Sequence, residues 1–512
     1  MAGNDSKEEG GWKSLLADLE RRRGVARAMG GPEKLDRQHQ GGRLDARARI
    51  DALLDPGSFL ELGTLVGGVR EAGGPPTPAD ALVAGVGRID GRPVLVGAED
   101  FTVLGGSIGP GAADKRVRLA QWAAQERLPL VMMLEGAGHR LTNALRPRGR
   151  GPNDLQFLAD LSGCVPTVCL VMGASAGHGA LTAPLMDFTV MVEGASLFSA
   201  GPPLVEAAIG QKVTKEELGG TAVHVDASGV AHNRAESEAA ALAIARRYLS
   251  FFPSNAWQAP PRLEGEDTAE RSLDDILEIL PPDDRRPYPM RTLIERLCDR
   301  DSVMEIQPAF GPAMVTSLAF LGGHAVAVVA NDPSVRGGAV DSDAAIKGSR
   351  FIEIAGAFHL PVVFLADNPG VMAGTQAEQA GALRAAARMF AAQHRLRTPK
   401  FSVTLRKAFG FGSSLMAMNP FDDQTLSIAL PGVSLGAMPA RSGGAASKLD
   451  AEVQAEVEEA EGSGPYGVAN TMAFDEVIDP RDLRNVLLRG LELASARRHG
   501  AFEPVPRTGT LP

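Results

Sequence analysis

The chain has 512 residues with 52 Lys and Arg against 62 Asp and Glu, so its net charge is 52 − 62 = −10. That length predicts two or three domains at about 100–200 residues each, and the acidic balance excludes a dedicated nucleic-acid binder, which would present a basic face. Three cysteines, Cys164, Cys169 and Cys298, exclude a disulfide framework and a four-cysteine zinc site. Glycine is in excess, with 59 residues where the average share is about 7%.

The opening MAGNDSKEEGGWKSLL has neither the basic nor the apolar region of a signal peptide and is too acidic for a transit peptide. No apolar run approaches the ~18 residues of a membrane helix. A cytoplasmic protein with no membrane segment is expected. Residues 1–25 read as loose, and residues 26–253 as a first α/β domain. Within it the pattern predicts a strand at Val94–Gly97, a Gly105-Gly106 turn, a helix at Asp114–Glu126 and a buried strand at Leu130–Leu134. A glycine loop, Glu135–Arg140, follows, and then a strand at Thr167–Met172 that ends in a second glycine loop opening a helix. Cys164 and Cys169, five apart in an apolar run, read as buried structural thiols. Residues 254–287, rich in Pro, Asp and Glu, read as a linker. A second domain, 288–502, carries strands at Val326–Val329, Val362–Leu365 and Phe401–Leu405, a helix at Ser342–Phe358 and a glycine loop at Asp367–Gly374. Residues 503–512 read as a loose tail. Strands alternating with helices at this spacing imply parallel βαβ layers.

The two domains are copies. GRPVLVGAEDFTVLGGSIG from Gly91 aligns without a gap on GHAVAVVANDPSVRGGAVD from Gly323, an offset of 323 − 91 = 232. Asp100 meets Asp332, Gly105-Gly106 meets Gly337-Gly338, Lys115 meets Lys347 and Gly138 meets Gly370. One residue of slippage later, Gly177 meets Gly410 and Gly179 meets Gly412, an offset of 410 − 177 = 233.

Gly177-His178-Gly179 and Gly410-Phe411-Gly412 each follow a buried strand and precede a helix. Free N–H groups at such a turn can hold an oxyanion, of an enolate or a tetrahedral centre. Alternatively, the glycines only permit tight strand-to-helix packing. No phosphate-binding P-loop occurs in the chain, and no G-x-S-x-G elbow precedes a plausible Asp and His order. His178 either reaches a ligand or is a packed or solvated histidine. Lys115 and Lys347 either meet phosphates or are solvated at helix starts. Arg140 pairs with a loop carboxylate or with a ligand.

Several longer stretches carry a resemblance: GRLDARARIDALLDPGSFLELG, EDFTVLGGSIG, FSAGPPLVEAAIGQKVTKEELGG with HVDASGVAH, then VVANDP, ADNPGVMAG, RKAFGFG and FDEVIDPRDLR. From about residue 34 to 498 the chain resembles the carboxyltransferase (β) subunit of biotin-dependent acyl-CoA carboxylases, of the propionyl-CoA and methylcrotonyl-CoA carboxylase type. The resemblance implies an α/β fold of two homologous crotonase-like ββα-superhelix domains in tandem. The implied activity is transfer of a carboxyl group from carboxybiotin to the α, or vinylogous γ, carbon of an acyl-CoA. The biotin would ride on a separate biotin carboxylase/biotin carboxyl carrier (α) subunit, the coenzyme A thioester would be the substrate, and no metal is implied. The resemblance further implies a homo-oligomer, usually a hexamer, whose active site lies at a subunit interface. By motif match, the Gly177 and His178 amides would hold the thioester oxygen of the acyl-CoA, and the Phe411 and Gly412 amides the biotin ureido oxygen. Gly105, Gly106, Ala137, Gly138, Arg140, Ala176, Gly370, Gly374 and Ser414 would line the substrate sites.

The sequence departs from the pattern at several points. The family's A-G-G-A is Ala176-Gly177-His178-Gly179 here, its G-G-A is Gly410-Phe411-Gly412, and an acidic residue shortly after is Ser414. The S-G-G-A-R loop is Gly136-Ala137-Gly138-His139-Arg140, and W-P-T-A is Leu430-Pro431-Gly432-Val433. These changes weaken a propionyl assignment, while GPPLV at Gly201–Val205 leans toward the methylcrotonyl type. Two other readings stand beside the carboxyltransferase: a decarboxylase α-subunit running the reverse reaction, and a catalytically silent scaffold subunit.

Overall fold

The computed structural model describes residues 11–68, 75–145 and 152–498. It divides into two compact units. The first runs to His224 and takes back Arg234–Arg246; the second holds Val225–Asn233 and the chain from Arg247 on.

Each unit is built around one sheet, and each sheet begins the same way. In the first unit, strand Leu82–Ile89 pairs antiparallel with Arg92–Glu99, and the sheet continues in parallel through Leu130–Leu134, Thr167–Val171 and Phe188–Val192. In the second, Met314–Leu321 pairs antiparallel with His324–Asn331, followed in parallel by Val362–Asn368, Lys400–Phe409 and Leu426–Ala429. The central strands are buried along their whole length, as their near-continuous aliphatic runs require of strands covered on both faces.

The registers repeat with the sequence. Leu95 pairs with Leu130 and Ala327 with Val362, and 327 − 95 = 362 − 130 = 232. Leu130 pairs with Thr167 and Val362 with Lys400, where 400 − 167 = 233. Isolated bridges Ile108–His139 and Val340–Val371 share the first offset, 340 − 108 = 371 − 139 = 232. The duplication therefore extends to individual backbone pairings.

The glycine excess finds part of its reason here. A Cβ on Gly106 would lie 2.2 Å from the carbonyl oxygen of Glu135, and one on Gly338 would lie 2.2 Å from that of Asp367. Both glycines also have positive φ, 64° and 85°. Gly106 is thus a buried position where two backbones approach closely, and its own N–H is spent on the Val103 carbonyl at 3.1 Å.

The helices after these turns are Pro110–Glu126 and Ser342–Ala357. The first starts on Pro110 and stops where Arg127 turns left-handed (φ 56°). The second is capped by Asp341, whose side chain accepts from the Ala344 N–H at 2.8 Å. Their lysines are not solvated. Lys115 is buried, with Nζ donating to the Ala79 and Leu82 carbonyls at 2.9 and 2.7 Å. Lys347, also buried, donates to the Phe310 carbonyl at 3.1 Å. Both are backbone clamps, so neither alternative proposed from the sequence describes them.

Three other expectations need adjustment. The first 25 residues, read as loose, are helical from Trp12 to Arg27, with Asp18 bonded to Arg21 and Arg22 on the exposed face. Residues 1–10 and the tail 503–512 lie outside the described residues. Within the stretch 254–287, Leu273, Ile276 and Leu280 are buried in the hydrophobic core of the second unit. Cys169 and Cys298 are buried, whereas Cys164 is partly exposed. Among the described residues, no helix is long and apolar enough to cross a membrane.

Candidate active site

Two backbone turns come together at the ends of the Leu130–Leu134 and Thr167–Val171 strands of the first unit. One is the loop Gly136–Arg140. Its Ala137 N–H donates to the Gly105 carbonyl at 3.0 Å, its Gly138 carbonyl accepts from Ile108 at 2.8 Å, and its Arg140 N–H donates to the Ile108 carbonyl at 3.0 Å. The other follows the short strand Ala174–Ala176, where the Ala176 N–H donates to Gly136 at 3.0 Å and the Gly177 N–H to Phe198 at 2.9 Å. A Cβ on Gly138 would stand 2.6 Å from the Ala176 carbonyl oxygen and 3.7 Å from the Gly177 Cα, so the turns are in contact.

Accounting for each amide decides which can serve a ligand. Ala137, Ala176 and Gly177 have already spent theirs. The N–H groups of Gly138 and His178 have no acceptor among the described residues. The expected pair, Gly177 and His178, therefore loses its first member to Phe198.

Charged side chains brace these turns. Arg140 pairs with the Asp80 carboxylate at 2.9 Å and also bonds the hydroxyl and carbonyl of Ser107 at 3.2 and 2.9 Å. A loop carboxylate is thus its partner. Asp80 sits in a run of three left-handed residues, Ala79, Asp80 and Ala81, with φ of 49°, 49° and 65°. The second Asp80 oxygen accepts from the Ala112 N–H at 3.0 Å.

His178 is neither solvated nor inertly packed. Its Nε2 lies 2.5 Å from Asp154 Oδ1, and its ring centroid 4.4 Å from that of His139. Arg116 binds the other Asp154 oxygen at 2.7 Å, Glu99 at 3.1 Å and the Thr182 hydroxyl at 2.5 Å. Burial alone would raise the Asp154 carboxyl, but the His178 hydrogen bond and Arg116 charge outweigh it and hold it at about 2. Burial raises the Glu99 carboxyl against the pull of Arg116. Asp154, Arg116, Glu99 and Asp80 were not singled out from the sequence; Asn153, which caps the helix Asp154–Asp160, was the one local signal near Asp154.

The equivalent turn of the second unit is Gly410 (φ 50°) leading into the helix Gly410–Leu415. Phe411 and Gly412 stand in its first turn, where N–H groups have no intrahelical acceptor. A Cβ on Gly412 would be 2.3 Å from Asn368 Oδ1 and 2.7 Å from the Gly370 Cα. Here the halves differ. Gly370, the counterpart of Gly138, donates its N–H to Asn368 Oδ1 at 3.0 Å. The Phe411 side chain is 43% exposed and stacks on Phe390 at 6.4 Å between centroids. Ser414 is half-buried with its carbonyl bonded by Asn419, and Gly374 is exposed at the start of the short helix Thr375–Gln379.

Beside Gly105 in the first unit, Lys34, Arg37, Gln38, Arg43, Phe101 and Leu104 line a cleft of about 370 Å³. Arg43 is tied to the buried Glu135 at 2.6 Å and Arg37 to Glu33 at 3.1 Å. Cations thus border an apolar floor of Phe101 and Leu104.

Known proteins resemble this chain in sequence and in fold. The family described as "Carboxyl transferase domain" matches residues 37–508. The propionyl-CoA carboxylase carboxyltransferase subunit of Haloferax mediterranei is 32% identical over 515 residues, covering 97% of this chain and 99% of that one. The methylmalonyl-CoA decarboxylase subunit alpha of Veillonella parvula is 33% identical over 92% of this chain and 94% of that one. The solved structure of transcarboxylase 12S, with methylmalonyl-coenzyme A and methylmalonic acid bound, is similar over 100% of both chains, with a TM-score of 0.89 at 31% identity.

Proposed function

Because the chain belongs to the carboxyl transferase family, as a carboxyltransferase of the biotin-dependent acyl-CoA carboxylase type with two crotonase-like domains in tandem, we propose that its Gly138 and His178 N–H groups hold the thioester oxygen of an acyl-CoA. The observation that carries this reading is the pair of unspent amides on two touching turns.

Deprotonating the carbon next to a thioester pushes negative charge onto the carbonyl oxygen. Two fixed N–H donors lower the cost of that charge, and removing one such donor typically costs about 3–4 kcal/mol of transition-state stabilisation. Arg140, held by Asp80 and Ser107, fixes the loop that carries Gly138. Lys34, Arg37 and Arg43 suit the phosphates of coenzyme A, and Phe101 and Leu104 give its adenine an apolar surface.

In the second unit, the first-turn N–H groups of Phe411 and Gly412 offer a polar edge, and the exposed Phe411 stacked on the half-buried Phe390 offers an apolar wall. That combination fits a bicyclic urea, whose oxygen would take the N–H groups while its ring lies against the phenyl groups. Carboxybiotin, brought by a separate biotin carboxylase/biotin carboxyl carrier subunit, supplies the carboxyl group. Propionyl-CoA, the substrate named for several relatives, and 3-methylcrotonyl-CoA, toward which Gly201–Val205 leans, are the first substrates to test, and a hexamer with sites shared between copies is the assembly to test.

Assay of the chain with a carboxylated carrier protein and a panel of short, branched and long acyl-CoAs tests the reading. A carboxylated thioester is expected, and no product from any member would overturn it. A second reading, the reverse direction as a decarboxylase subunit, is favoured by the similarity to the Veillonella protein. Release of carbon dioxide from a carboxyacyl-CoA onto free carrier, outpacing the forward reaction, would select it.

A further inference from the structure

The side chain of His178 has a built environment that holding an oxygen through the backbone does not require. Asp154 Oδ1 faces Nε2 at 2.5 Å, and Arg116 grips the other carboxylate oxygen at 2.7 Å, so the carboxylate cannot swing away. Arg116 is itself fixed by Glu99 and Thr182. An ionised carboxylate at Nε2 requires the proton there, which leaves the Nδ1 lone pair of the neutral ring as an acceptor. An aspartate that orients a histidine in this way and later balances its positive charge is the arrangement of a general base. The ring is half-buried, so it remains reachable, and it belongs to the residue whose N–H has no acceptor among the described residues. The neighbouring His139 is kept below the ordinary histidine range by burial and by the His178 ring.

We propose that His178, oriented by Asp154, is a protein-borne base for the acyl-thioester proton, giving this chain a biotin-independent enolisation activity. The inference rests on the carboxyltransferase reading of the same turn. Nδ1 takes the proton from the carbon α to the thioester, the C–H electron pair forms the new carbon–carbon π bond, and the carbonyl π pair moves onto the oxygen at Gly138 and His178. Return of a proton from Nδ1 to carbon restores the thioester and the neutral ring. Nothing is oxidised or reduced, and exchange of the Nδ1 proton with water is the only other event.

The test is hydrogen exchange. The full chain is incubated in D2O, without biotin or carrier, with propionyl-CoA, 3-methylcrotonyl-CoA and a long-chain acyl-CoA, and deuterium at the α or vinylogous γ carbon is followed by mass spectrometry. Calorimetric binding of the same thioesters and carboxylation with a charged carrier are measured in parallel. The wild-type chain is expected to exchange the thioester it carboxylates. His178→Gln is expected to bind that thioester but exchange it about 100-fold more slowly. Asp154→Asn, which keeps the ring but frees it, is expected to slow exchange without a matching loss of binding. Should Asp154→Asn not fold, the half-buried His178→Gln still decides. A wild-type chain that carboxylates without incorporating deuterium, or a His178→Gln variant that exchanges at the wild-type rate, overturns the inference alone. If no thioester is bound or carboxylated, the carboxyltransferase reading fails and this inference fails with it.

Discussion

A methyl group on Gly138 would stand 2.6 Å from the carbonyl oxygen of Ala176. Gly138 also has φ of 75°, where L side chains are strained. Gly138→Ala must therefore push the two turns apart and move an unspent amide. Carboxylation is expected to fall by about 100-fold or more, in kcat more than in KM, because the donor acts mainly on developing charge. Steady-state kinetics check this, and an undiminished kcat would remove Gly138 from the donor pair.

Asp80 links three features, the strained run 79–81, the Ala112 N–H and Arg140. Asp80→Ala leaves the mostly buried guanidinium of Arg140 without its carboxylate and puts a β-carbon residue without local hydrogen bonds at φ 49°. A destabilisation of about 3 kcal/mol is expected, read as a lowered Tm. Asp80→Asn keeps an acceptor for Ala112 and tolerates the left-handed backbone, so its loss is expected to be smaller. Equal losses would mean that the missing charge accounts for the whole effect and that neither the Ala112 acceptor nor the backbone preference matters there.

The elements that were legible before the structure were those with local causes. Leu130–Leu134 is an uninterrupted aliphatic run between Pro129 and a glycine loop, and it forms a strand over those same residues. The offset that pairs Gly105-Gly106 with Gly337-Gly338 reappears in the strand registers because both copies need the same close approach of backbone. What escaped was set by distant partners. The Gly177 amide is lost to Phe198, 21 positions on (198 − 177), and no glycine motif reports which of its amides is already paired. Asp154 lies 24 positions before His178 with no shared motif. Lys115 and Lys347 look like any helix-start lysine until the carbonyls they clamp fold around them.

Lys34 and Arg37 line the cleft beside Gly105 and are exposed. If they meet the phosphates of coenzyme A, Lys34→Glu with Arg37→Glu should raise KM for acyl-CoA by about tenfold or more while changing kcat little, since the phosphates are remote from the reacting carbon. The increase should shrink as salt rises, because exposed charges are screened within about 8 Å at physiological ionic strength. Inhibition by free coenzyme A should weaken in parallel. A KM that does not respond to either charge reversal would place the phosphates elsewhere.

Lys347 ties stability to pH. Burial lowers its ammonium to about 7, against the attraction of Glu305 and Asp332, from an ordinary value of 10.5. Below about pH 7 the group is charged in both the folded and unfolded chain. Between about 7 and 10.5 the unfolded chain holds a proton that the folded one has released, so stability rises with pH in that window. The slope for one such group approaches about 1.4 kcal/mol per pH unit. Lys115, lowered by burial to about 8, acts over the narrower window from there to 10.5. Lys347→Met is therefore expected to lose the Phe310 clamp yet show a flatter Tm between pH 7 and 9 than the wild type, with Lys115→Met flattening it less. If the Lys347→Met curve rose as steeply as the wild-type curve, the buried ammonium would not be the group that titrates.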